Sequence, residues 1–118
     1  MPRLGVDLIE IERIEEALAR WQERFLQRVY TAGELEICQQ RVPALAVRFA
    51  GKEAVMKLLG TGVKGVGWKE IEILALESGK PVVHLHDRAL QKAIEMGISQ
   101  IEISLSHSRQ NALAAALG

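Results

Sequence analysis

The sequence predicts an α+β fold, an antiparallel sheet packed with helices, in one domain spanning residues 1–118. Three features predict it. The chain opens on an alternating apolar segment, helical periods then run to about residue 59, and two alternating segments, a helix and a further strand precede an apolar close. At 118 residues the folded surface scales to about 6,400 Å², so roughly two-thirds of the chain's surface can be buried. Aromatic residues make up only 4% of the chain, so aliphatic side chains must do that burying.

Leu4 to Ile9 reads as the first strand, with Leu4, Val6 and Leu8 on one face and Gly5, Asp7 and Ile9 on the other. Ile11, Ile14, Leu18, Trp21 and Phe25 then step by three and four as one amphipathic helix, with Glu10, Glu12, Glu15 and Glu16 near its positive end. Thr31 and Glu34 have capping-box spacing and open a short helix. Pro43 suits the first turn of a helix that Gly60 and Gly62 end. Gly62 to Gly67 reads as a loop. Ile71, Ile73 and Ala75 mark a strand, Ser78-Gly79-Lys80-Pro81 a turn, and Val83 with Leu85 the returning strand. Asp87 is placed to N-cap a helix that Gly97 ends. Ile101, Ile103 and Leu105 alternate as another strand, and His107 to Asn111 is a polar turn. Ala112 to Leu117 fits either a strand or a helix.

Fifteen basic and fifteen acidic residues cancel, which argues against a polybasic nucleic-acid binder. A single cysteine, Cys38, supports neither an intrachain disulfide nor a Cys-rich zinc site. Asp7, Glu10 and Glu12 interrupt the N-terminal apolar run, so no signal peptide is expected. No uncharged apolar stretch approaches the roughly 18 residues that span a bilayer, so no membrane role is expected and the default location is cytoplasmic. The charge is nevertheless uneven. Residues 43–69 hold Arg48, Lys52, Lys57, Lys64 and Lys69 against Glu53 alone, while the flanking segments are both net negative. A local cationic element in a neutral chain suits a compact anion such as a phosphate ester, although solvated lysines clustered by chance would look the same.

The helix over 44–59 carries the main chemical signal. Its apolar residues surround the axis, which predicts a largely buried helix, yet Arg48, Lys52, Glu53 and Lys57 interrupt it. Buried charges cost several kcal/mol unless paired or bound. Glu53 and Lys57, four apart, can pair; Arg48 and Lys52, also four apart, repel and would accept an anion between them. An exposed stripe with snorkelling stems is the plain alternative. Asp7 is a second anomaly, an acid inside an otherwise apolar strand. It can end the strand, or converge with Glu53 as an oxygen ligand set of the kind Mg²⁺ takes beside phosphates. His84 and His86 alternate on a strand without an evident third ligand, and His107 ends a strand among serines.

Gly5-Val6-Asp7 and Arg48-Phe49-Ala50-Gly51-Lys52-Glu53-Ala54-Val55-Met56-Lys57 resemble the two signature motifs of the 4′-phosphopantetheinyl transferases. Gly60-Thr61-Gly62, Gly79-Lys80-Pro81 and Ser104-Leu105-Ser106-His107-Ser108 extend the resemblance over essentially the whole chain, whose length is similar to that of the small bacterial class. The resemblance implies that fold and a Mg²⁺-dependent transfer of 4′-phosphopantetheine from coenzyme A to a serine of apo acyl carrier protein, releasing adenosine 3′,5′-bisphosphate, a step of fatty acid biosynthesis. It implies Asp7 and Glu53 as metal ligands, with Lys57 by the pyrophosphate as the third catalytic residue. Arg48, Lys52, Lys57, Gly62, Lys80, Pro81 and His107 become candidate coenzyme A contacts. Arg13 and Arg24, joined by Arg20 if the first helix continues unbroken, become candidate carrier contacts. A homotrimer with active sites at subunit interfaces is implied as well. The serine's base stays open between Glu53 and a water near Asp7. Two things depart from the family pattern: Gly51, where a larger small residue is usual, and a short segment Gln39 to Pro43 that leaves only Arg41 for the 3′-phosphate. Rival readings are a transferase for polyketide or peptide synthase carriers and a nucleotide-binding trimer without activity.

Overall fold

The computed structural model describes residues 1–118. Strand β1 (Leu4–Glu10) leads into helices α1 (Ile11–Trp21), α2 (Glu23–Val29), α3 (Ala32–Cys38) and the long α4 (Val42–Leu59). A one-turn helix α5 (Gly62–Gly65) and a 3-10 turn at Trp68–Glu70 precede a hairpin of β2 (Ile71–Ala75) and β3 (Pro81–Leu85). Helix α6 (Asp87–Glu95) and strands β4 (Glu102–His107) and β5 (Asn111–Leu117) complete the chain. The closing segment is therefore a strand. It lies between β1 and β4 in an antiparallel sheet of order β1-β5-β4, and pairs Asp7 with Ala114 and Ala114 with Leu105.

Helix α4 crosses this sheet, and small residues let it approach closely. Ala112, Ala114 and Ala116 of β5 are fully buried, and a Cβ on Gly5 would overlap the Ala54 carbonyl. Leu45, Ala46, Ala50, Ala54, Val55, Met56, Leu58 and Leu59 fill the core around the helix, as its all-round apolar pattern requires. Four of the five aromatic residues form one chain beside it, Tyr30 against Phe25, Phe25 against Phe49, and Phe49 stacked on Trp68 at 4.6 Å.

Three local expectations change. The first helix breaks at Gln22 (φ 48°), with no glycine or proline to mark the break, so Arg24 belongs to α2 and not to the stripe of Arg13 and Arg20. Asp87 does not cap α6; it takes φ 49°, and the Ala89 N–H donates instead to Glu70 of the 3-10 turn at 3.0 Å as well as to the His86 carbonyl at 3.1 Å. The segment after Gly62 turns once as α5 where a plain loop was expected. In β1 the pleat buries Gly5, Asp7 and Ile9 and leaves Leu4, Val6 and Leu8 exposed, which inverts the usual sense of the alternation.

Candidate active site at the β1–α4 contact

The Gly5 approach sets Asp7 against the Glu53–Lys57 stripe of α4. Lys57 Nζ donates to Asp7 Oδ1 at 2.9 Å and to the Val6 carbonyl at 3.0 Å. The expected pairing within the helix is thus replaced by one across to the strand. The second oxygen, Asp7 Oδ2, is buried and has no hydrogen-bond partner. Glu53 is half-buried beside it. Burial, and then the neighbouring Asp7 carboxylate, push the Glu53 carboxyl above its ordinary range, while Arg13 and Lys57 pull it back. Lys57 is held charged more firmly than usual by its bond to Asp7, and its side chain remains largely exposed. Two carboxylates, an orphaned oxygen and an exposed ammonium can bind a hard cation next to an anionic substrate.

Lys52 and Arg48 lie elsewhere. Lys52 is fully buried, and its three donors reach Glu34 Oε1 at 2.7 Å, the Trp68 carbonyl at 3.0 Å and the Ile71 carbonyl. Arg48 is buried and donates from Nε to the Ile73 carbonyl at 2.9 Å. In this chain Lys52 uses all three of its donors in the interior and Arg48 uses its Nε there, which sets both apart from the Asp7–Glu53–Lys57 stripe. Glu34 is the residue that sequence reasoning missed. Its capping box with Thr31 is formed, but the same carboxylate also accepts from Lys52 and from Ile73 N, and only the tertiary fold brings these to it.

The remaining candidates are dispersed. Gly62 opens α5 at φ 64° with open space around it. Lys80 and Pro81 edge a groove of about 240 Å³ lined also by Leu85, Leu90, Ile98 and Glu102; Lys80 faces Glu102 across it at 3.6 Å. His107 is exposed at the far end of β4 from Glu102, with Nδ1 within 3.2 Å of the Ser108 carbonyl. Neither that groove nor the one bounded by Glu10, Arg13 and Asn111 is lined by Asp7, Glu53 or Lys57. Arg41 closes α3 by donating to the Cys38 and Ile37 carbonyls. His86 bonds Glu72 at 3.0 Å, and no cluster of three or more potential ligands forms at the histidines. The Arg20 and Arg24 guanidinium groups lie 5.0 and 6.0 Å from the Trp21 ring centre, and Trp21 is half-exposed, not part of the core face. Arg28, which the sequence did not single out, lines a surface depression with Trp21, Arg24 and Phe25.

Residues 3–116 match the family model of the 4′-phosphopantetheinyl transferase superfamily. The chain belongs to that superfamily and is an enzyme of it. It is 53% identical over 110 residues to a holo-[acyl-carrier-protein] synthase of Dehalococcoides mccartyi, covering 93% of this chain and 92% of the relative. It is 46% identical over 121 residues to the synthase of Herpetosiphon aurantiacus, covering 97% and 95%. Its fold is similar to the crystal structure of Helicobacter pylori holo-[acyl-carrier-protein] synthase in complex with coenzyme A, at a TM-score of 0.88, 29% identity and 96% of each chain. No helix is long and apolar enough to cross a membrane.

Proposed function

We propose that this chain is a holo-[acyl-carrier-protein] synthase that transfers 4′-phosphopantetheine from coenzyme A to a serine of apo acyl carrier protein, with Asp7 and Glu53 as ligands of Mg²⁺. The observation that carries the reading is the buried, partnerless Asp7 Oδ2 beside the raised Glu53 carboxyl. Both groups fit a hard divalent cation, whose two protein carboxylates leave its other positions to water and phosphate oxygens. When bound, Mg²⁺ supplies charge to the pyrophosphate oxygens. Lys57, anchored on Asp7 yet exposed, binds the same pyrophosphate and offsets charge on the leaving bisphosphate. The base for the serine proton stays open between Glu53 and a water near Asp7. Gly62, Lys80, Pro81 and His107 would contact coenzyme A. Their dispersal from Asp7 in one chain supports a site completed by a neighbouring subunit.

A homotrimer is part of this reading. Leu4, Val6 and Leu8 are 65%, 45% and 62% exposed, and Leu113 and Leu117 stand opposite Leu8 and Leu4 on β5. The accessible surface of 7191 Å² exceeds the about 6,400 Å² expected for a monomer of this mass, as an uncovered apolar sheet face would produce. Arg13, Arg20 and Arg24, with the exposed Trp21, would meet the acidic carrier protein. The free thiol of Cys38 suits the reducing cytoplasm.

The decisive experiment incubates the protein with coenzyme A, Mg²⁺ and apo carrier protein and weighs the carrier. A gain of one phosphopantetheine group, lost with EDTA, is expected. A carrier of unchanged mass sinks the reading. Light scattering at micromolar concentration should give three subunits; a single-subunit mass removes the shared site.

A further inference from the structure

Within the reading just given, we infer that the buried Lys52–Glu34 pair is a positioning device for Glu53, acting on the metal site through the rotation of α4. An apolar helix packed on all sides is weakly oriented by its own side chains, since turning it exchanges one aliphatic contact for another. Two contacts orient α4. On one side Gly5 comes close to the helix backbone at the Ala54 carbonyl and the Leu58 nitrogen. Lys52 lies about 160° around the axis from Ala54, given about 100° per residue, and ties the helix to α3 through Glu34 and to the 68–71 segment through two carbonyls. Glu53 lies between these contacts, one residue from each. Arg48, one turn earlier on the Lys52 side, holds the Ile73 carbonyl and extends the same anchor.

The choice of charge is informative. A buried ion pair contributes little to stability compared with apolar residues of equal volume, so its retention points to what it specifies. Here it specifies orientation. Lys52 meets three acceptors on two separate chain segments, a geometry that a methionine at 52 could not enforce. Glu34 is fixed in turn by Thr31 N at 2.9 Å and Ile73 N at 2.8 Å, so the anchor itself cannot swing.

The test replaces the pair with apolar residues, Glu34→Leu with Lys52→Met, and titrates Mn²⁺ against the parent, Asp7→Ala and the double variant, reading free Mn²⁺ by electron paramagnetic resonance. Thermal melts accompany each titration. The double variant leaves the Thr31 and Ile73 N–H groups and the Trp68 and Ile71 carbonyls without their side-chain partners, so it should melt below the parent; at a temperature where it stays folded it should bind Mn²⁺ about 10-fold or more weakly, the range of losses when a ligand's supporting contact is removed. Equal Mn²⁺ affinity in a folded double variant overturns the inference and leaves the pair structural. If the parent shows no Mn²⁺ binding that Asp7→Ala removes, the metal reading fails first and this inference with it. Should the double variant not fold, Glu34→Asp keeps the charge but shortens the anchor. It should weaken Mn²⁺ binding in the same direction, and unchanged affinity there also overturns the inference.

Discussion

Helix α4 carries two lysine–carboxylate clusters within six residues, and they differ in one respect. At Lys52 every polar atom is used: the ammonium has three acceptors and both Glu34 oxygens have donors, all at zero exposure. At Lys57 the bookkeeping is left open. Asp7 Oδ2 has no partner, Glu53 is pushed toward its protonated form, and the ammonium faces solvent. A closed polar network rigidifies a core, whereas an open one is a cost that a proton shared between Glu53 and Asp7, or a bound cation, offsets. The two motif lysines, identical as residues, therefore meet opposite surroundings, one with every donor engaged in the core and one exposed beside an unpartnered carboxylate oxygen.

The comparison is broken most easily at its closed end. Lys52→Met alone leaves Glu34 charged and unpaired in the interior, and should cost about 3–5 kcal/mol, read by urea or thermal unfolding. A loss below about 1 kcal/mol would mean that the Glu34 carboxylate finds solvent and that the network is not closed.

At the open end the expected pattern reverses. Asp7→Ala should lower carrier modification at least about 100-fold while the melting temperature barely moves, because the residue removed is one whose oxygen was unsatisfied. Near-normal Mg²⁺-dependent turnover in this variant would separate Asp7 from the metal.

Acidity sharpens the contrast further. The raised Glu53 carboxyl means that, between the ordinary glutamate value of about 4.3 and its own, the folded chain holds more protons than the unfolded one. Stability from this group is thus full below that window and is lost as pH rises through it. A cation that needs the deprotonated carboxylate restores what is lost. The rise in melting temperature on adding Mg²⁺ should therefore grow as pH rises through the Glu53 titration and level off above it. A pH-independent rise would show that Glu53 does not hold the ion.

The smallest effect concerns packing between the two clusters. Gly51→Ala gains roughly 0.5–1 kcal/mol of helix propensity. Its new Cβ would lie 2.6 Å from Ile73 Cδ1, a flexible chain end that must move. The single variant should stay within about 1 kcal/mol of the parent. Ile73→Val, which deletes that methyl group, should cost less in the Gly51→Ala background than alone; equal costs in a double-mutant cycle would show no contact between these positions.

Periodicity and composition by themselves determined much of this protein. They located β1, α4 with Pro43 near its start and Gly60 at its end, the Thr31–Glu34 capping box, the β2–β3 hairpin around Gly79, and an acid out of place at position 7. These depend on neighbours a few residues away, which the chain displays directly. The tertiary structure alone decided the rest. It made the closing segment a strand by placing Ala112, Ala114 and Ala116 under α4, where only a small pleated surface fits. It broke the first helix at Gln22 without a local signal, and exposed the apolar face of β1 on the sheet's uncovered side. It also divided the cationic helix between core and site. The spacing of Arg48, Lys52, Glu53 and Lys57 says which charges share a helical face, but whether a face meets Glu34 or Asp7 depends on segments 18 and 50 residues away, whose approach no local pattern encodes.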